Sequence, residues 1–308
     1  MQTPETPKIP LVSIVSVNWN KPEITLDMVK SFKHVTYPNY ELIIVDNGST
    51  MGDIDPVKNY PHVKLIKTGK NLGFAGGTNA GIRRAKGQYI LLLNNDTIVP
   101  PHFLEPMVEL MEQDIHIGIV SPKIYYFDSP QVIQFAGTTE INKITGRGHK
   151  IGYLQEDDGS YDQTVPTALT HGACMMVRKQ VFQEIGLLSE LYFMYYEEYD
   201  FCERAKKAGW TCYYTGKSYI HHRESMSMGK HNPMKTYYMF RNRWLYMRRI
   251  EKGWNYYLFL LYFLTVSIPK NMFAHLFKRE ITHVQSIFKG LIWNMGHLQI
   301  QQNETLDS

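Results

Sequence analysis

The chain is predicted to be an α/β protein built on a mostly parallel, Rossmann-like sheet. Short apolar runs that read as buried strands alternate with stretches of helical length and spacing. Three of those runs end in Asn or Asp: Asn18/Asn20, Asp46/Asn47 and Asn94/Asp96. Alternation of this kind implies right-handed crossovers. The three polar ends then share one edge of the sheet, where open α/β sheets bind their ligands.

The elements follow in order. Leu11 to Val17 reads as a first strand, and Pro22 opens a helix running to about His34. Glu41–Val45 is a second strand, ending at Asp46-Asn47-Gly48-Ser49, and Val63–Ile66 is a short third. Ala75 to Lys86 reads as a helix stopped by Gly87. Tyr89–Leu93 is a fourth strand leading into Asn94-Asn95-Asp96. Pro101 to Gln113 is helical, and Gly118 to Pro122 is a short strand. The polar, Gly-bearing stretch from Tyr125 to Pro166 reads as loops and short strands over the site, an acceptor or lid region. A strand at Ala173–Val177, a helix at Lys179–Ile185, an amphipathic helix at Glu198–Ala208 and a strand at Thr211–Thr215 follow. His221-His222 comes after Ser218–Ile220.

Pro233 to Lys252 is a basic, aromatic helix. The nearly all-apolar Trp254–Ile268 ends at Pro269 and is shorter than the ~20 residues a spanning helix needs. With Arg248, Arg249 and Lys252 before it and Lys270 after it, it reads as an interfacial or re-entrant membrane helix, the alternative being a buried core helix. From Gly216 to Ser308 there are thirteen Lys and Arg against five Asp and Glu, a basic surplus suited to an anionic membrane surface or a phosphate-bearing partner. No nucleic-acid partner is expected. Cys174, Cys202 and Cys212 are too few and unpaired for a disulfide framework, and they lack CxxC spacing, so no zinc site is expected from them. A polar, proline-bearing start with no signal pattern implies a cytoplasmic location.

Five groups of residues carry chemistry. A carboxylate in Asn94-Asn95-Asp96 can hold a divalent cation, and the cation a diphosphate. Asp46 either accepts hydrogen bonds from a base or ribose or serves an Asx turn. The glycine-rich Asn71–Gly81 either offers backbone amides to phosphate or makes a tight turn with close helix packing. Glu197, Glu198 and Asp200 either hold a general base or form a plain charge cluster at a helix start. One imidazole of His221-His222 can join Asp96 on a metal.

Together these stretches resemble the family-2 glycosyltransferases of the GT-A fold, in particular the rhamnosyltransferase-like branch. The resemblance rests on Val12–Asn20, Ile44–Ser49, Asn71–Gly77, Leu93–Asp96, Gly172–Met176, Glu197–Asp200 and His221, in that order, and covers about residues 11 to 225. It implies an inverting transfer of a sugar, rhamnose among the candidates, from a nucleotide-diphosphate sugar to a glycan or polyprenyl-diphosphate-linked acceptor. It implies Mn²⁺ or Mg²⁺ as cofactor, held by Asp96, Asn94 and His221, the Asn94–Asp96 pair taking the place of a DxD motif. Donor contacts are implied at Asn18, Asn20, Asp46, Asn71, Gly76 and Asn95. Glu198 is the implied base, with Glu197 and Asp200 as alternates. The implied organisation is a glycosyltransferase domain at 1–225, its nucleotide-sugar half at about 1–120 and its acceptor half at about 121–225. A helical, membrane-associating region at 226–308 follows, peripheral at the inner face of the membrane. A sugar nucleotidyltransferase and a non-catalytic sugar-nucleotide-binding protein are the rival classes. The first would need a basic phosphate loop soon after the first strand, where Asn18-Trp19-Asn20-Lys21-Pro22 offers one Lys and no glycine-rich signature.

Overall fold

The computed structural model describes residues 9–223, 231–297 and Leu306. The domain boundary expected at 225/226 lies outside the described residues. Four N-terminal strands, β1 (Val12–Asn18), β2 (Tyr40–Asp46), β3 (Val63–Lys67) and β4 (Tyr89–Leu93), pair in parallel in the order β3-β2-β1-β4. α1 (Pro22–Ser31) joins β1 to β2, and α2 (Gly73–Ile82) joins β3 to β4. Register sets Asn18 opposite Asp46, so the ends of the two central strands lie side by side.

β5 (Thr97–Ile98), α3 (Glu105–Gln113), β6 (Ile117–Tyr126), β7 (Ser129–Phe135), β8 (Thr164–Pro166), β9 (Cys174–Arg178), α4 (Lys179–Ile185), α5 (Glu197–Lys207) and β10 (Thr211–His222) complete the sheet half. The sheet continues from β4 through β9, β6 and β10 to β5, with β7 added to β6 and β8 to β10. β9 runs antiparallel between β4 and β6, so the sheet is mixed and only its first four strands and the β6–β10 pair are parallel. This insertion matters for the site: Asn94 donates its amide to the Ala173 carbonyl at 3.0 Å, which ties the end of β4 to the start of β9.

Alternation along the strands feeds two cores. Leu91, Leu93, Ile14 and Ile44 join Met28, Val29, Met107 and Met111 on the side of α1 and α3. Ile90, Leu92, Val15 and Val45 join Ala75, Ile82, Phe182 and Phe201 on the other side. All five residues of β4 are buried. Each such side chain contributes roughly 1.5–3 kcal/mol on leaving water.

Four helices follow: α6 (Pro233–Ile250), α7 (Trp254–Tyr262), α8 (Ile268–Phe277) and α9 (Ile281–Gly296), with a π-helical turn at Phe263–Ser267 between α7 and α8. They share a third core with the glycosyltransferase-like half: Tyr192 and Tyr196 pack with Phe240, Tyr246, Phe259, Phe263 and Ile287.

Three expectations change in detail. The helix after the glycine-rich turn ends at Ile82, four residues before the expected Lys86. Beyond it the Lys86 and Gly87 amides donate to Ser13 Oγ, delivering the chain to β4. The strands expected near Thr211 and Ser218 form one strand, β10, carried across Gly216 by a register shift against β6. The apolar helix does not stop at Pro269. The π turn precedes it and Pro269 sits in the first turn of α8, where the missing N–H is tolerated. Trp254–Phe277 is therefore 24 residues long, enough by length and composition to cross a membrane.

Candidate active site

The polar strand ends meet in a line of hydrogen bonds. Asn95 Nδ2 donates to Thr25 Oγ1 at 2.9 Å, Thr25 Oγ1 donates to Asn18 Oδ1 at 2.8 Å, and Asn18 Nδ2 donates to Asp46 Oδ1 at 3.1 Å. All four residues are buried. The line fixes the Asp46 carboxylate at the edge of β2. Asn20 serves as a clamp: held at φ 55°, it accepts from the Thr50 and Met51 amides through Oδ1 and folds the Gly48–Gly52 loop over the end of β1.

Asn94 and Asp96 face the end of β10. Asp96 Oδ1 lies 3.0 Å from His222 Nε2, and Asn94 Nδ2 lies 3.4 Å from the same nitrogen. Neither Asp96 Oδ1 nor Asn94 Oδ1 has a well-formed hydrogen bond, although both are buried. His222 Nδ1 is 2.8 Å from Gln134 Oε1. With that side-chain oxygen on Nδ1, the ring is held so that Nε2 faces Asp96. An imidazole nitrogen and a carboxylate oxygen 3.0 Å apart in a buried corner, with the Asn94 amide beside them and Gln134 behind, are donors a divalent ion accepts. The set fits the expected ion.

The resemblance points to His221, and the structure places the neighbouring His222 beside Asp96. Successive residues of a strand point to opposite faces. His221 turns away from Asp96 and lies between Tyr125 and Tyr219, its ring centroid 5.7 Å and 5.6 Å from theirs.

α5 begins with Glu197 and Glu198 after three residues at positive φ: Phe193, Tyr195 and Tyr196. Each glutamate keeps one buried oxygen without a partner. Burial pushes the Glu198 carboxyl above its ordinary range, with the Lys150 ammonium opposing, and burial together with the charge of Glu198 pushes Glu197 well above it. Glu198 lies against Gly172, so close that a methyl on Gly172 would stand 3.8 Å from the carboxyl carbon. Gly172 adjoins Ala173, whose carbonyl holds Asn94. The backbone of the β9 entry thus links the Glu198 carboxyl to the Asn94–Asp96 corner. Asp200 is a structural residue: Arg204 Nε donates to it at 2.7 Å, Arg249 Nε at 2.8 Å and Tyr192 Oη at 3.2 Å. Fully buried and spent on those partners, it is not available as a base.

The glycine-rich turn packs closely and spends the amides at its start within the fold. The Leu72 amide donates to Asn47 Oδ1, the Gly73 amide to Asn71 Oδ1, and the Phe74 and Ala75 amides to the Phe193 carbonyl. The amides expected at a phosphate are taken. Gly76 lies against Leu72 and Glu190, where a Cβ would meet the Leu72 side chain at 2.7 Å. Asn71 Oδ1 also accepts from Asn47 Nδ2 at 3.2 Å, which ties the turn to the residue after Asp46.

Reading the sequence missed Gln134, Thr25 and the α6 clamp. Asn242 Nδ2 reaches the carbonyls of Tyr192, Met194 and Tyr195 at 3.0, 2.7 and 2.8 Å, and Arg241 reaches those of Leu191 and Tyr192, both at 2.6 Å. No local pattern announces residues that act 50 positions away. Polar residues on the buried side of an aromatic helix were the one available signal.

The Glycosyl transferase family 2 model matches residues 13–186. The chain is 30% identical over 201 residues to the low-salt glycan biosynthesis hexosyltransferase Agl10 of Haloferax volcanii, covering 64% of this chain and 62% of that protein. It is 22% identical over 268 residues to the N-acetylglucosaminyl-diphospho-decaprenol L-rhamnosyltransferase of Mycobacterium tuberculosis, covering 79% of this chain and 86% of that protein. It spans 27% of an uncharacterized Sinorhizobium fredii protein, y4gI, to which it is 27% identical. Among solved structures, the mannosyltransferase PcManGT of Pyrobaculum calidifontis in complex with GDP-Man and Mn²⁺ superposes with a TM-score of 0.60 at 12% identity, over 95% of this chain and 89% of that one. GalNAc-T7 with UDP, GalNAc and Mn²⁺ superposes at 0.65 and 15% identity, over 94% and 57%. These likenesses identify the sheet as a GT-A fold.

Proposed function

The chain belongs to glycosyl transferase family 2 and is a glycosyltransferase, and on that premise we propose that it moves a sugar from a nucleotide-diphosphate donor to a hydroxyl with inversion. One observation carries the proposal: Asp46, the Asp96–Asn94–His222 corner and the Glu198 carboxyl are joined through adjacent strand ends on one edge of the sheet.

Asp46, held by Asn18, accepts from the donor's base or ribose. Asp96, Asn94 and His222 would hold Mn²⁺ or Mg²⁺, and the ion would offset charge on the leaving diphosphate. Glu198 takes the acceptor's hydroxyl proton as that oxygen bonds to the anomeric carbon. The bond from that carbon to the phosphate oxygen breaks, and its electron pair leaves with the nucleoside diphosphate. Burial raises the basicity Glu198 needs for this.

The Mycobacterium tuberculosis relative, by its name, transfers rhamnose to a decaprenyl-diphosphate-linked sugar. We take rhamnose or another hexose as the transferred sugar and a glycan, lipid-linked through a polyprenyl diphosphate, as the acceptor. Such an acceptor suits the exposed apolar helices: Trp254, Tyr257, Leu261, Phe273 and Phe277 all face outward, beside a basic surplus. They would rest on the cytoplasmic face of the membrane.

Incubating the chain with a panel of nucleotide sugars, Mn²⁺ and a polyprenyl-diphosphate-linked saccharide tests the reading. Nucleoside diphosphate release coupled to a glycosylated lipid product is expected. Pyrophosphate release would move the protein to the nucleotidyltransferases, and no release with any donor would overturn the enzyme assignment.

A further inference from the structure

Away from the sheet edge, the helical region gathers three histidines and a glutamate from separate elements. His231 precedes α6, Glu280 precedes α9, His283 lies in the first turn of α9, and His275 lies in the last turn of α8. His231 Nε2 stands 2.7 Å from Glu280 Oε1, and His275 Nδ1 stands 2.7 Å from Glu280 Oε2. The His283 ring lies between the other two, with centroids 4.7 Å from each, and is nearly parallel to that of His275. One ligand atom from each of His231, Glu280 and His283 falls within 4.8 Å of the others.

Stability does not ask for this arrangement. Three imidazoles packed together repel one another once protonated, and one carboxylate offsets one charge. His283 Nδ1 is 2.7 Å from Thr236 Oγ1. That bond fixes the ring, the kind of outer support that metal-bound histidines commonly have.

Imidazoles with one carboxylate select zinc over magnesium or calcium. Ligand atoms around tetrahedral zinc sit about 3.3 Å apart, given Zn–N and Zn–O lengths near 2.0–2.2 Å. A trio within 4.8 Å needs a contraction of about 1.5 Å at most, within reach of small side-chain rotations. We propose that His231, Glu280 and His283 form a zinc site, with His275 bracing the Glu280 carboxylate from α8, that staples the starts of α6 and α9 and is separate from the ion position at Asp96. The cysteines gave no hint of it, because its ligands are nitrogen and oxygen donors spread over 53 positions.

The test uses the full chain, stripped with chelator, reloaded with Zn²⁺ alone and desalted. Bound zinc is counted by atomic emission, and the unfolding temperature is read with and without the metal. One zinc per chain and a rise in unfolding temperature are expected, both retained in the double variant Asp96→Ala/His222→Ala. Both should be lost in His231→Ala/His275→Ala, whose first position is exposed and tolerant of change. Thr236→Val should keep the site but weaken zinc affinity by about 10–100-fold. No zinc on the wild type, or zinc lost from the Asp96→Ala/His222→Ala variant and kept by His231→Ala/His275→Ala, would overturn the proposal.

Discussion

His221 and His222 are neighbours in β10, yet only His222 turns toward Asp96. A strand's two-residue period places one imidazole on each face, so the dipeptide was legible as a source of one ligand but not as which one. Register against β5, where His222 pairs with Thr97, decides it. His222→Ala is expected to lower Mn²⁺-dependent turnover at least 100-fold and to raise the Mn²⁺ concentration for half-maximal rate, while His221→Ala stays within about threefold of wild type, since one removes a proposed metal ligand and the other a ring packed on tyrosines. Equal losses from both would refute the assignment. Glu198 gives a second prediction. It must be ionised to accept a proton, and its pKa lies above the ordinary 4.5. Turnover therefore falls as pH drops through that raised value, with an acid limb centred above 4.5. Glu198→Gln should remove the limb, lower turnover by about 10²–10⁴-fold and leave donor affinity within a few-fold. Stability runs the other way. Buried acids whose folded pKa is raised are fully accommodated below the unfolded value and cost stability as pH rises through the folded one. Glu197→Gln should accordingly raise the unfolding temperature at pH 8 and leave it unchanged at pH 4, which a pH series of thermal melts would show.

At the scale of the element, strands proved more legible than helix ends. The run Tyr89–Leu93 is a strand because every position is apolar and buried, a property visible in the sequence itself. The end of α2 depended on a distant hydroxyl, Ser13 Oγ, and the passage of the apolar helix through Pro269 depended on the π turn before it. Neither is written locally. The same holds for α6, expected to be part of a separate membrane-associating region. Its Asn242 and Arg241 instead bind the carbonyls of Leu191 to Tyr195, and its Arg249 binds Asp200. Phe193, Tyr195 and Tyr196 stand at positive φ, each a cost of about 1–3 kcal/mol that surrounding structure must offset. α6 supplies that support directly before Glu197 and Glu198. Asn242→Ala leaves buried carbonyls unsatisfied and should cost about 2–4 kcal/mol in denaturant unfolding. It should also depress turnover more than donor affinity, because the misplaced group is the proposed base. A variant with lowered stability but wild-type turnover would show that the clamp serves the fold alone.

At the scale of the molecule, the charge asymmetry and the apolar run were both legible, and what the structure adds is where the apolar surface points. Phe259 and Phe263 are turned inward against Arg243, while Trp254, Tyr257, Leu258 and Leu261 form an outward stripe at the spacing of one helix face. Trp254 is 82% exposed and Phe277 92%, and 22% of the apolar window is buried. Soluble surfaces seldom carry a patch of this size without a partner. A membrane fits it on two counts: each aromatic or aliphatic side chain that enters the interface returns roughly 1.5–3 kcal/mol, and each nearby Lys or Arg about 1 kcal/mol at an anionic surface. The triple variant Trp254→Ser/Leu261→Ser/Phe273→Ser removes three exposed contacts and no core residue. Its melting temperature should match wild type, and its partition onto anionic vesicles in a sedimentation assay should fall at least tenfold. Turnover on a short, water-soluble acceptor should be unchanged while turnover on the vesicle-embedded polyprenyl acceptor drops, because the site stays intact and only its access to a lipid-anchored hydroxyl is lost. Raising salt should weaken wild-type binding in step with the screening of the basic residues. If the variant sediments as wild type does, the outward stripe is not the membrane contact.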